Sequence, residues 1–213
     1  MNTPTSPQNA DDYQQIHDGI IHLVDCARTE IVRSVNALMT ATYWEIGRRI
    51  VEFEQGGETR AAYGEQLIDR LSQDLSQRYK RGFSTRILWQ IRNFYICFQH
   101  IEIPQTVSAE SQYLIQLAKF FPLPWSAYVR LLSVKSPDAR SFYEKETLRC
   151  GWSVRQLDRQ IATQFYERVL LSRDKTAMLQ QSAPATAEVA PEQAIRDPFI
   201  LEFLDLKDEY SES

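Results

Sequence analysis

Apolar residues recur along this chain at spacings of three and four, the repeat of an α-helix. Alternation with a period of two, the mark of a strand, is nearly absent. The pattern predicts an all-α protein of six or more helices, with a long N-terminal helix and a helix–turn–helix. The first helix spans about Asp12 to Gln55. Its stripe is Ile20, Val24, Ala27, Ile31, Val35, Leu38, Thr42, Trp44, Ile46, Ile50 and Phe53, and Gly56-Gly57 ends it. At 1.5 Å per residue such a helix is roughly 65 Å long, more than one compact core requires. A kink near Asn36 or packing against a second chain would account for the excess.

Helices at about 60–79 and 84–99 follow. Between them Lys80, Arg81, Gly82 and Phe83 form a short joint, in which Gly82 is free to take a positive φ. Ser84 is a natural N-cap. Beyond it Ile87, Leu88, Ile91, Phe94, Tyr95 and Phe98 make one apolar face. Pro104 and the run QTVSAESQ read as a loop. Pro122 and Pro124 introduce a short helix of about 125–134. Ser136-Pro137-Asp138 starts a helix that reaches Cys150, with Gly151 as its cap. Ser153 caps another, to about Ser172, with Val154, Leu157, Ile161, Phe165 and Val169 as its core stripe. The helical body is therefore 12–175, with the helix–turn–helix at about 60–99. Residues 1–11 are polar and expected to be disordered, 176–191 form an Ala/Pro-rich linker, and 192–213 hold a short helix opened by Asp197-Pro198.

The net charge of −4 hides an asymmetry. Residues 60–175 carry 18 basic and 11 acidic side chains, net +7; residues 1–58 and 176–213 together carry 6 and 17, net −11. A pI near 5.5 therefore leaves a polyanion partner open, because phosphate binding depends on local charge. An ordinary mixed surface is the bland alternative. Cys26, Cys97 and Cys150 are scattered, which suggests reduced thiols and a cytoplasmic protein. The region after Met1 lacks the apolar core of a signal peptide, and no run of 18 apolar residues suggests a membrane span.

The helix at 84–99 turns Thr85, Arg86, Trp89, Arg92 and Asn93 away from its apolar face. A tryptophan among arginines on such a face is unusual, because large aromatics are normally buried. Trp89 is either a contact residue or is covered by the long first helix. Placed in a major groove, this helix would present Thr85, Arg86, Trp89, Gln90 and Asn93 near its N-terminal part, with Arg92 also expected to contact the DNA. Lys80 and Arg81 would touch phosphates, and Arg155 and Arg159 could extend the phosphate surface. Trp44, Trp125 and Trp152 are expected in the core.

Other chemistry is thin. His22 and Cys26 sit one helical turn apart, but no second pair supplies further metal ligands. Pro137-Asp138 with Glu144-Lys145 has the wrong spacing for a metal-dependent nuclease site and reads as helix. Phosphate-cradling and dinucleotide-binding glycine motifs and a nucleophile elbow are lacking. These patterns imply no cofactor and no small-molecule ligand.

The strings NALMTATYWEIGRRIVEFEQ, YGEQLIDRLSQDL, RGFSTRILWQIRNFY, LPWSAYVRLLSV, RSFYEKE, GWSVRQLDRQIATQFYERVLLS and RDPFILEFLDLKDEYSES resemble, in order and spacing, the N-terminal half of the YhcG family. The resemblance runs from roughly Tyr13 to Ser213. It implies a helical N-terminal domain containing a helix–turn–helix, followed in full-length members by a PD-(D/E)xK nuclease domain into which the helix RDPFILEFL leads. There are departures. Ala127 stands where the family usually has His in its WSHY-like motif, so any polar role of that His is missing. Ile87 stands where Asn is frequent, a change that concerns packing.

The expected function is thus a DNA-binding and targeting module of a YhcG-like nuclease. The chain by itself is expected not to be an enzyme, because the resemblance places the nuclease domain beyond it. Double-stranded DNA and a second copy of the chain, most simply as a dimer, are the expected partners. The alternative is a helical assembly module without direct DNA contact.

Overall fold

The computed structural model describes residues 7–55, 64–101, 109–175, 178–179 and 198–204, and every regular element among them is a helix. The all-α expectation holds. Helix α1 (Pro7–Gln55) starts five residues before Asp12, inside the stretch expected to be disordered. A proline suits a first helical turn, where its missing N–H would have had no helical partner. The helix continues through Asn36, whose side-chain amide donates to the Val32 carbonyl one turn back at 3.1 Å. Its second half is the axis of the core. Met39, Tyr43, Trp44, Ile50 and Val51 are buried, while every side chain from Asp12 to Arg28 is exposed.

Helices α2 (Gly64–Tyr79) and α3 (Thr85–Cys97) follow, and α3 packs far more extensively on α1 than on α2. Gly47 makes this close crossing possible. A Cβ at that position would lie 2.5 Å from the Ile91 carbonyl oxygen and 2.8 Å from the Tyr95 Cβ, so the two helices meet backbone to backbone there. Trp44 fixes the far end of α3 by donating its indole N–H to the Phe98 carbonyl at 3.1 Å.

Helix α4 (Glu110–Ala118) also lies on α1, where a loop was expected at its start. Its first turn, Glu110, Ser111 and Gln112, is polar and exposed, and Leu117 is its only fully buried residue, so its sequence shows no clear stripe. A charge network centred on a buried carboxylate holds it in place. Glu45 of α1, 5% exposed, receives hydrogen bonds from Arg48, Arg49 and the Tyr113 hydroxyl, and Arg49 reaches on to Glu110 at 2.6 Å.

Helix α5 (Trp125–Leu131) runs through the centre of the molecule, with Trp125, Ala127, Tyr128 and Leu131 buried. The Phe94 ring sits 5.2 Å from Trp125 and 5.1 Å from Tyr128, contacts that bury much aromatic area. Trp44, Trp125 and Trp152 are all core residues, as expected. Helix α6 (Pro137–Cys150) is capped by the Ser136 hydroxyl and ended by Gly151 at φ 64°. Helix α7 (Val154–Ala162) opens with a reciprocal Ser153–Gln156 capping box.

The single helix expected over 153–172 is broken. Helix α7 stops, Gln164 takes φ 51°, and α8 (Phe165–Leu171) starts anew. The Tyr143 hydroxyl from α6 enters the break, donating to the Gln160 carbonyl at 3.3 Å and accepting from the Tyr166 amide at 3.1 Å. It thereby satisfies backbone groups that a continuous helix would have paired. Tyr143→Phe is expected to destabilise the fold by about 1–3 kcal/mol, because both groups lose a partner away from bulk water. Urea unfolding of the two proteins checks this; equal midpoints would contradict it. Helix α9 (Pro198–Phe203) returns to α1, where the Phe203 ring packs 5.7 Å from Tyr43.

Two carboxylates give stability opposite pH dependences. Burial alone would push the Glu45 carboxyl up, but hydrogen bonds from Arg48, Arg49 and Tyr113 outweigh it and hold it below the ordinary range. Burial pushes the Glu144 carboxyl up, against the hydrogen bond donated by the Tyr128 hydroxyl at 3.0 Å. Glu45 therefore contributes stability that is present above the ordinary carboxylate pKa and is lost as pH falls through its depressed value. The Glu144 contribution is present below the ordinary pKa and is lost as pH rises through its raised value. Glu144→Gln, which keeps an acceptor for Tyr128, is expected to gain stability relative to the natural protein between about pH 4 and 7. Glu45→Gln is expected to lose less on acidification than the natural protein does. Unfolding midpoints from about pH 7 down to about pH 2 test both signs.

Candidate nucleic-acid interface

The corner between α2 and α3 is built by local sequence. Arg78 and Tyr79 close α2, and Lys80 turns the chain with φ 61°. Gly82 follows at φ 86° and is buried, so its conformation is one that only glycine takes without cost. The Phe83 ring packs back on Tyr79 at 5.5 Å. Ser84 then caps α3, its hydroxyl accepting from the Ile87 amide at 3.4 Å. Both Gly82 and Ser84 behave as the sequence predicts; the left-handed Lys80 was not foreseen.

The outer face of α3 is divided. Arg86 and Asn93 are exposed, and Gln90 lies partly exposed between them. Thr85 is half-buried and donates to Asp69 of α2 at 3.4 Å. Trp89 is also half-buried and packs against the edge of the core. Arg92 differs from Arg86. Its guanidinium is clamped on Glu54 at the end of α1, with Nε 2.9 Å from one carboxylate oxygen, and it lies 5.4 Å over the Trp89 ring. With 26% of its side chain exposed, Arg92 ties α3 to α1. Its sequence position on the polar face gives no hint of this, because Glu54 lies 38 residues away.

Arg78, Lys80, Arg81 and Arg86 are exposed and have no ion-pair partner among the described residues. Arg78 was not among the expected contacts, although the run Arg78-Tyr79-Lys80-Arg81 signals it; its guanidinium sits 5.6 Å from the Tyr79 ring centre. Arg155 and Arg159 are exposed on α7, which packs on α5, α6 and α8, whereas α3 packs on α1, α2 and α5. These two arginines thus sit on a different element from Arg86, and α5 is a neighbour of both elements.

Asp138 lies in the first turn of α6, and Glu144 lines a shallow cavity of about 230 Å³ with Phe98, His100, Ile101 and Phe120. His22 and Cys26 approach to 3.6 Å on exposed α1. Among the described residues no group of three His, Cys, Asp or Glu is placed to hold a metal ion, and no helix is long and apolar enough to cross a membrane. The three cysteines are free thiols.

Residues 19–168 match the DUF1016 N-terminal domain. The chain belongs to this family. That agrees with the YhcG resemblance of its motifs. A relative from Escherichia coli (strain K12), "Putative nuclease YhcG", is 72% identical over 218 residues, which cover 94% of this chain and 58% of the relative. The chain thus spans little more than half the length of that relative. This relationship overturns the expectation of a non-enzyme, because 94% of the chain aligns with a protein that bears a nuclease's name. No solved structure matches the chain.

Proposed function

We propose that this DUF1016 chain belongs to a nuclease that acts on DNA, and that its α2–α3 corner is a helix–turn–helix that engages the duplex. The observation that carries the reading is the cluster of exposed cations at the corner. Arg78, Lys80, Arg81 and Arg86 lack ion-pair partners among the described residues, whereas Arg48, Arg49, Arg92 and Arg149 are held by carboxylates. Unpaired cations around a helix start are suited to phosphate oxygens, and Gln90 and Asn93 on the same face have the amides that pair with adenine edges. Trp89 supports this face from its edge. Arg155 and Arg159 would touch phosphates only on DNA that reaches past α5. The nuclease's name belongs to the relative; the proposal extends it to this chain on the strength of their identity.

Fluorescence anisotropy of a labelled duplex tests the proposal. The natural chain is expected to bind at about 50 mM salt, where phosphate contacts are strong. Absence of binding to any duplex would overturn it. Arg92→Ala serves as the contrast to Arg86→Ala. Loss of the Glu54 clamp should lower stability first, whereas loss of Arg86 should lower affinity with stability unchanged.

A further inference from the structure

We propose that residues 12–34 of α1 pair with the same segment of a second copy of this chain, in antiparallel orientation. The inference is independent of the DNA reading. Tyr13, Ile16, Ile20, Leu23, Val24 and Ile31 recur at helical spacing, and Tyr13 and Leu23 are 67% and 69% exposed. Single exposed apolar residues are ordinary, but a continuous stripe of them marks an interaction surface. The side chains from Asp12 to Ala27 are all exposed. A lone helical projection of this length is marginal in water, and a mid-helix glycine weakens it further.

That glycine is Gly19. A Cβ there would meet nothing within 4 Å, so no contact inside the chain requires its absence. It neighbours Ile16 and Leu23 at the edge of the stripe, where a missing side chain lets a second helix approach closely. The six large side chains, each able to remove on the order of 60–120 Å² from water, bring two copies to about 1,000 Å² of buried area. That reaches the size of a specific interface.

Charge sets the orientation. Residues 11–25 hold Asp11, Asp12, Asp18 and Asp25 with no Lys or Arg, net −4; residues 26–34 hold Arg28, Arg33 and Glu30, net +1. Parallel pairing would set −4 beside −4. Antiparallel pairing sets each acidic end beside the other copy's basic-leaning end and opposes the helix dipoles.

Light scattering of the full chain is the first test. The expected mass is twice the 24.8 kDa of one chain, falling to 24.8 kDa for Ile20→Asp/Leu23→Asp. Both substitutions lie on exposed positions, so core melting should stay unchanged, and any fall in helical signal should be limited to residues 12–34, which lose their partner. A monomeric natural chain at about 100 µM overturns the proposal, since a stable dimer holds together there, as does a dimer that survives both aspartates. Gly19→Leu, a better helix former, is expected to weaken association at least about tenfold; unchanged association would overturn the close approach. Orientation is read from disulfide trapping in a Cys26→Ser background. Asp12→Cys mixed with Arg33→Cys is expected to cross-link, and Asp12→Cys alone is not. The reverse pattern would mean a parallel pair and overturn the inference.

Discussion

Gly47→Leu is expected to abolish cooperative folding, and Gly47→Ala to lower stability by about 1–3 kcal/mol. The alanine methyl would stand 2.5 Å from the Ile91 carbonyl oxygen, a backbone atom that moves only if α3 moves with it. Alanine is the better helix former by roughly 0.5–1 kcal/mol, which offsets part of the strain. Leucine adds three further carbons to the same crossing and has no such offset of comparable size. Because α3 packs chiefly on α1, displacement there also moves Arg86 and Gln90. Urea denaturation measures the first effect. An unchanged midpoint for Gly47→Ala would mean that the two helices do not touch at this point.

Lys80→Ala/Arg86→Ala is expected to weaken duplex binding by about tenfold or more at low salt, with the unfolding midpoint unchanged. Neither side chain is buried or ion-paired among the described residues, so little of the fold depends on either. Lysine and alanine bear the left-handed backbone at position 80 equally, and Lys80→Gly removes the same charge while relieving that cost, so both variants report lost charge rather than turn strain. If the glycine version binds as the natural chain does, the turn's charge has no part in binding.

What could be read from the sequence was what neighbours in sequence decide. Ser84, Ser136 and Ser153 cap helices because a hydroxyl accepts from an amide three residues on, and Gly82 and Gly151 take positive φ beside those helices. What depended on distant residues stayed hidden. Gly47 looks like any helical glycine until Ile91 is laid against it. Arg92 shares the polar face of Arg86, and only Glu54 separates their roles. The break at Gln164 follows from the Tyr143 hydroxyl, and α4 from the buried Glu45, both contributed by other helices. The exposed half of α1 was legible as excess length; its lack of cover within the chain needed the structure. The non-enzyme expectation failed for another reason: missing local motifs in this chain do not describe the longer relative with which it aligns.

The salt dependence of duplex binding tests the central claim most directly. Affinity measured between about 50 and 200 mM salt gives the number of phosphate contacts from its logarithmic slope, roughly 0.9 per contact. The natural chain is expected to show a steep fall, and Lys80→Ala/Arg86→Ala a slope shallower by about two, equivalent to about tenfold less loss over that range. Identical slopes for the two proteins would contradict the account, and would assign this face of α3 to contacts between proteins.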